Sequence, residues 1–170
     1  MHCGCPVTKV MTLEAEAELV QTAALGAVVL WAFTDEFCDQ KKRMAGPPLP
    51  YLLPVLPMVF HEETVDAIAR RHFDGGLLLA LAENRTLTLD LQERVQALTP
   101  QTMRALNVGF GTGLLSYRAD TGEVWSERRT LPDIGKNTEI KPLLAAAERL
   151  GYWFSTIGIE QLCSYLHLRF

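Results

Sequence analysis

Residues 75–127 constrain the fold of this chain more than any other segment. Short helical patterns in this segment run directly into two strand patterns, and the turn between the strands is Asp120-Thr121-Gly122. Glycine can adopt the left-handed conformation that a tight hairpin turn needs. Helices followed by a hairpin in this order are typical of a winged helix-turn-helix. We therefore predict a mainly α-helical protein with one small β-hairpin and a winged helix-turn-helix core.

Apolar spacing and turn residues predict the bounds of these elements. The helices are predicted at residues 77–83, 89–98 and 99–111, and the strands at residues 114–118 and 124–128. Thr99-Pro100 separates the last two helices, because threonine caps a helix N-terminus and proline is favoured in the first turn. One side of the third helix carries Met103, Leu106 and Phe110. The other side carries Gln101, Thr102, Arg104 and Asn107.

The N-terminal part of the chain predicts a long helix that is apolar around most of its circumference. Residues 12–43 contain no proline and a single interior glycine, so they predict one long helix or two abutting helices. Its apolar positions include Leu25, Val28, Val29, Trp31 and Phe33. In a small domain, a helix that is apolar on several sides often needs a second chain to cover it. We predict a helical arm at residues 1–46 and a winged-helix core with C-terminal helices at residues 47–170.

Four further elements complete the expected fold. Five prolines between residues 47 and 57 exclude a long regular helix there, and a short apolar helix is expected to begin near Pro54. An amphipathic helix is predicted at residues 61–72, a second at residues 139–154 and a short closing element at residues 159–168.

Composition argues against several functional classes. A net charge of -4 over 170 residues provides no general attraction to phosphate backbones. The apolar run at residues 19–33 is shorter than the ~20 residues of a membrane-spanning helix. It is also preceded by glutamates, where a signal peptide would carry basic residues. We therefore expect a cytoplasmic protein without membrane contact.

The cysteines indicate neither a disulfide framework nor a zinc site. They stand at positions 3, 5, 38 and 163, a scatter that lacks paired ligand spacing. His2, Cys3 and Cys5 could bind a soft metal, but a structural site needs four ligands. We predict a reduced protein with no metal and no cofactor.

Two motifs could in principle carry catalysis. Asp120-Thr121-Gly122 matches the triplet of aspartic proteases, and Cys163 and His167 are spaced like a nucleophile and base on a helix. Polar flanks favour a hairpin turn for the first, and a buried cysteine near a terminal histidine is the more common arrangement for the second. We expect no enzymatic activity, and a small hydrolase using Cys163 or Asp120 remains an alternative hypothesis.

The residues of the third helix and wing favour protein contacts over base readout. A DNA-reading helix should present several Arg, Lys, Asn or Gln side chains, and this one presents one cation. The wing tip carries Asp120 and Glu123, where a basic residue is common. The candidate partner-binding residues are Trp31, Phe33, Gln101, Arg104 and Asn107. The candidate phosphate contacts are Arg118, Arg128 and Arg129.

Several stretches of this chain resemble a known family. The stretches are residues 23–33, 48–57, 61–64 and 113–116, together with Gly122. Within residues 20–130, their apolar pattern, prolines and glycines are similar to the small middle component of bacterial three-component ABC-ATPase (ABC-3C) systems, which are related to the Lamassu type.

The resemblance implies a winged-helix protein that is encoded between an SMC-like or ABC-type ATPase and an effector such as a nuclease. It implies a non-catalytic, kleisin-like subunit that joins these partners from the same operon in a defence complex against phage or plasmids. DNA would be sensed by the whole complex. The alternative is a dimeric winged-helix transcription regulator that binds DNA directly.

Overall fold

The computed structural model describes residues 13–127, 130 and 139–170. The helices in these residues are α1 (Leu13–Gln40), α2 (Val55–Val59), α3 (Glu62–Ala69), α4 (Gly76–Glu83), α5 (Leu91–Gly111), α6 (Ile140–Ser155) and α7 (Ile159–Leu166). The strands are β1 (Leu115–Arg118) and β2 (Glu123–Ser126), which pair antiparallel. The expected mainly α-helical class with one small hairpin is confirmed.

Helix α1 is the central element of the fold. It packs along α6 and α5 and also contacts β2. Val29, Leu30 and Phe33 in its middle are completely buried. Of the two arrangements predicted for this segment, the structure shows one long helix, and the elements that surround it belong to the same chain. Side chains of α1 and of the remaining helices belong to one apolar core, and the division into arm and core at residue 46 stays a prediction.

An aromatic cluster fills the contact between α1, α6 and the proline-rich segment. The Phe33 ring lies 5.6 Å from the Phe154 ring in an edge-to-face arrangement. Phe37 meets Tyr51 at 5.7 Å in a similar geometry, which aromatic pairs prefer. The Tyr51 hydroxyl donates a hydrogen bond to the Ile157 carbonyl at 2.8 Å. The cluster therefore holds the turn after α6 against α1.

Helix α5 is one continuous helix, whereas the sequence predicted two helices separated at Thr99-Pro100. Pro100 lies inside α5, and the Thr99 hydroxyl donates to the Val95 carbonyl at 2.7 Å. The two-helix prediction was wrong because packing outweighs the local signal. One buried stripe runs along the whole helix and includes Leu91, Val95, Ala105, Leu106 and Gly109.

Two side chains of α5 point opposite to the predicted direction. Thr102 is completely buried, whereas Met103 is 39% exposed. The cause is the close approach of α5 to α1, since a Cβ placed on Gly26 would lie 2.9 Å from the Cβ of Ala105. Ala105 therefore faces α1, and Thr102, one turn earlier, lies on the same side.

Replacing Thr102 with valine is expected to stabilise the protein. The Thr102 hydroxyl is buried and has no hydrogen-bond partner among the described residues. Valine has a similar shape and removes the desolvated hydroxyl, so Thr102→Val should raise the free energy of unfolding by about 1 kcal/mol. Thr99→Val is the control, because it removes the bond to the Val95 carbonyl. Urea unfolding curves in which Thr102→Val is less stable than wild type would contradict the assignment.

The hairpin follows the predicted turn, and Gly122 has a φ of 72°. In its register, Leu115 pairs with Ser126 and Arg118 with Glu123. The Val124 N–H donates to the Pro47 carbonyl at 2.9 Å, so the chain segment before α2 lines the outer side of β2. The predicted hairpin is confirmed.

The other helices lie close to their predicted positions. Helix α2 follows Pro54, α3 and α6 lie at the helices predicted for residues 61–72 and 139–154, and α7 lies at the predicted short closing element. Among the described residues, no helix combines the length and apolar character that crossing a bilayer requires.

Candidate docking surfaces

The outer side of α5 and the neighbouring strand β1 form an exposed, sparsely charged surface. Arg104 and Asn107 are exposed one turn apart, and Gln101 is half-buried one turn before them. Met103 and Tyr117 add apolar area, being 39% and 48% exposed. We call Met103, Arg104, Asn107 and Tyr117 the α5–hairpin surface.

The cation on the hairpin is stacked on an aromatic ring. The guanidinium carbon of Arg118 lies 3.9 Å from the centroid of the Trp125 ring. The Trp125 indole N–H donates to Glu123 at 3.2 Å, and the Thr121 hydroxyl donates to the same carboxylate oxygen at 3.1 Å. Arg118 thus lies beside an acidic residue, which lowers its value as a phosphate contact. Arg128 and Arg129 lie outside the described residues.

The two aromatic anchors proposed from the sequence lie within the core of the chain. Phe33 is completely buried, and Trp31 is 7% exposed. Phe33 is enclosed by the chain's own α1–α6 contact. In this conformation, a partner could reach only the small exposed part of Trp31. Docking through these two residues stays a prediction.

An arginine network fixes the hairpin to the end of α1. The Arg43 guanidinium contacts Asp35 at 2.5 Å and Asp39 at 2.6 Å, and donates to the Ser126 hydroxyl at 2.7 Å. The Ser126 hydroxyl in turn donates to Asp35 at 2.8 Å. Burial raises the pKa of the neighbouring Cys38 thiol, so this cysteine stays protonated. The network presents the hairpin in a fixed position.

A groove between α3 and α4 forms a second candidate surface. Its volume is about 520 Å³. The lining residues are Asp66, Ala67, Arg70, Arg71, His72, Leu79 and Glu83. On α4, which forms one side of the groove, Leu78 and Leu79 are 55% and 48% exposed. We call this region the α3–α4 groove.

The two residues considered for catalysis lie on different elements, Cys163 on α7 and Asp120 in the hairpin loop. Burial raises the pKa of the Cys163 thiol, which favours the less nucleophilic protonated form. Asp120 is exposed in the hairpin loop. In the described part of the chain, no group of three or more His, Cys, Asp or Glu side chains could hold a metal. His2, Cys3 and Cys5 lie outside that part.

Comparison with known families identifies the chain. A family profile described as ABC-three component (ABC-3C) system Middle Component 3 matches residues 10–170. The chain belongs to this family. The resemblance seen within residues 20–130 is confirmed, and the family match extends over nearly the whole chain. No curated protein and no solved structure matches it significantly.

Family membership gives the exposed surfaces a context. A middle component is one part of a multi-component ABC system, so this protein has partner subunits. Surfaces that carry uncovered apolar side chains are the natural candidates for contacts with them. The α5–hairpin surface and the α3–α4 groove both have this property.

The sequence patterns did not predict the α3–α4 groove. The signal that could have found it is Leu77-Leu78-Leu79, followed by Ala80-Leu81-Ala82. A helix that is apolar on all sides must be covered on all sides. Only Leu77 and Ala80 of α4 are buried by the chain itself.

Proposed function

We propose that this protein is a non-catalytic accessory subunit that links an SMC-like or ABC-type ATPase to an effector such as a nuclease. The proposed complex acts in the bacterial cytoplasm in defence against phage or plasmids, and the subunit joins its partners somewhat as a kleisin does. The observation that carries the proposal is the family match over residues 10–170, because a middle component works with further components of its system.

We also propose that the central region is a winged helix-turn-helix. The order α4, α5, β1, β2 supports this, since helices followed directly by a hairpin are the elements of that module. A short 3₁₀ turn at Arg85–Leu87 connects α4 to α5. In this arrangement, α5 is the helix that would enter a DNA groove, and the hairpin is the wing.

The chemistry of the α5–hairpin surface supports a protein partner. Its apolar contributions come from Met103 and Tyr117, and Arg104 supplies its positive charge. The Tyr117 ring lies 6.4 Å from the Phe110 ring, which supports it from behind. Protein interfaces are enriched in tyrosine, methionine and arginine. Binding energy at such surfaces is concentrated in a few of these side chains.

Arg104→Ala should weaken the complex without affecting the fold. Because Arg104 is exposed, we expect an unchanged melting temperature and an affinity for one partner reduced about tenfold, the effect of losing one anchor. The measurement is calorimetric titration of the purified protein with the ATPase and with the effector encoded beside it. Lys141→Ala, which removes an exposed cation at the start of α6, is the control and should bind normally. Failure of the wild-type protein to bind either subunit would overturn the proposal.

A winged-helix transcription regulator is the second candidate, because Arg104 on α5 and Arg118 on β1 are both exposed. It predicts binding to palindromic DNA whose affinity falls steeply with salt. Loss of Arg104 should then cost ~1–3 kcal/mol and relax specificity at one base. A mobility-shift assay at low salt that detects no complex would exclude this function.

A further inference from the structure

The chain segment between α1 and α2 covers the outer edge of β2. The Val124 N–H donates to the Pro47 carbonyl at 2.9 Å, and the Leu49 N–H donates to the Gly122 carbonyl at 3.3 Å. Strand β1 pairs with the other edge of β2. We call residues 42–49 the strap. Without the strap, the backbone groups of β2 that point away from β1 would be an open strand edge.

The strap has little apolar anchorage of its own. Among its residues, Gly46 and Pro47 are buried, Leu49 is half-buried and Met44 is 78% exposed. The chain on either side of the strap is fixed in the core by α1 and by residues 51–52. Segments with few buried apolar contacts are the ones that open at the lowest free energy. The strap is therefore the weakly held piece between two firmly held ends.

The strap also begins with two strained residues. Lys42 and Arg43 have φ values of 52° and 55°, so two successive residues with side chains lie in the left-handed region. This conformation is unfavourable for a residue with a Cβ, and glycine usually adopts it at the end of a helix. Opening of the strap would relieve this strain, so the backbone at its start favours the open state.

The side chain of Arg43 opposes that strain. Its Nε donates to Asp39 at 2.6 Å, and its two amino groups donate to Asp35 at 2.5 Å and to the Ser126 hydroxyl at 2.7 Å. Hydrogen bonds between ionised groups are stronger than those between neutral groups. Because Ser126 lies on β2, Arg43 connects the first residues of the strap to the strand that the strap covers.

The glycine at position 46 lets the strap lie directly on β2. A Cβ placed on Gly46 would collide with the Val124 carbonyl oxygen and lie 3.0 Å from the Trp125 indole nitrogen. The first of these obstacles is backbone, so a change of rotamer cannot relieve the collision. A side chain at position 46 would therefore hold the strap away from the strand.

We propose that the strap opens as a unit while the core stays folded, and that Arg43 sets the population of the open state. Opening breaks the two backbone hydrogen bonds to β2 and uncovers the outer edge of this strand, which then becomes available for strand pairing. The structure shows the closed state, in which the hairpin is held against α1. The inference is independent of the proposed function, because its test needs no partner subunit.

Native-state hydrogen exchange of the full chain measures this opening. The reporters are the amides of Val124 and Leu49, which bond across the contact between strap and β2. The references are the amide of Trp125, which the register directs toward β1, and that of Leu30 in the buried middle of α1. In the wild type, the two reporters should share one opening constant, at least about tenfold larger than that of either reference. Equal opening constants at all four amides would overturn the inference.

Removing the charge of Arg43 should favour the open state. Arg43→Gln should raise the opening constants of Val124 and Leu49 about tenfold, as expected when hydrogen bonds to charged groups are lost. Arg70→Gln is the matched control, because the Arg70–Asp66 pair lies on α3 and its side chains are 80% and 57% exposed. The control should leave both reporters unchanged. Wild-type opening constants in Arg43→Gln would contradict the role assigned to Arg43.

Gly46→Ala tests the close contact between strap and strand. It should raise the opening constants of the same two reporters at least about tenfold, because the added methyl group overpacks the contact. Gly111→Ala adds a methyl group at a position with no atom within 4 Å, and should change neither reporter. Reporters that respond equally to both variants would show that the strap does not lie on β2 as described.

A core variant separates strap opening from unfolding of the whole chain. Ile68 on α3 is completely buried, and Ile68→Val should raise the opening constant of Leu30 about fivefold. Val124 and Leu49 should not respond, because Ile68 stays buried when only the strap opens. A parallel rise at these two amides would mean that they exchange through global unfolding, and the inference would be wrong.

Discussion

Phe33→Ala is expected to lower the free energy of unfolding by about 3–5 kcal/mol, the typical cost of emptying a buried aromatic site. Phe33 is completely buried and packs against Phe154 at 5.6 Å and Phe37 at 6.2 Å. A loss of this size is a large part of the total stability of an ordinary domain, about 5–15 kcal/mol. Urea unfolding followed by circular dichroism would measure it.

The same variant tests the role that the sequence suggested for Phe33. Met103→Ala serves as the control, because Met103 is 39% exposed and its truncation leaves no enclosed cavity. If Phe33→Ala kept wild-type stability but lost its affinity for a partner subunit, Phe33 would be a docking anchor rather than a core residue. Loss of stability in Phe33→Ala, with little change in Met103→Ala, is the result that the packing predicts.

Gly151→Ala should lower the free energy of unfolding by about 3 kcal/mol through overpacking. A Cβ at this position would lie 2.4 Å from the Phe33 carbonyl oxygen and 3.2 Å from its carbonyl carbon. The obstacle is backbone, so a side-chain rotation cannot relieve it, and α1 and α6 must separate. In a chain of this length, the melting temperature should fall by about 6–12 °C.

Gly111→Ala is the matched control for that experiment. Gly111 is the last residue of α5, is exposed, and has no atom within 4 Å of the position of an added Cβ. Alanine there should be neutral or stabilise the helix by up to about 1 kcal/mol. Equal melting temperatures for Gly151→Ala and wild type would mean that α1 and α6 do not approach as closely as described.

Local patterns predicted most helices because their signals are local. The proline-free stretch before residue 43 and the apolar spacing before residue 154 led to α1 and α6, and Gly122 marked the hairpin turn. Helix α5 was divided wrongly because Thr99-Pro100 is a strong local signal for a helix start. Contacts with α1 and α2, which are distant in sequence, favour the uninterrupted helix.

Some features of the candidate surfaces could likewise be predicted from local sequence patterns, and others could not. The exposure of Arg104 and Asn107 could be predicted, since helical periodicity places them on the side opposite Leu106. The burial of Phe33 was harder to interpret, because an apolar residue on a central helix and one at an interface have the same sequence pattern. The α3–α4 groove depends on how two short helices pack, and its charged residues are distributed over residues 66–83. No sequence-spacing rule predicts that these charged residues line one groove.

The bonds from Arg43 to Asp35 and Ser126 also bear on how this subunit would transmit movement. They attach β2 to the last turns of α1, and the backbones of α1 and α6 approach closely where Gly151 faces the Phe33 carbonyl. Helix α6 in turn holds the turn after α3, because the Arg149 guanidinium donates a hydrogen bond to the Arg71 carbonyl. A partner on the hairpin and another on α4 would therefore be connected by one continuous stiff body. A rotation that a partner imposed at one end would therefore reach the other end with little loss of amplitude, as through a rigid lever rather than a flexible tether.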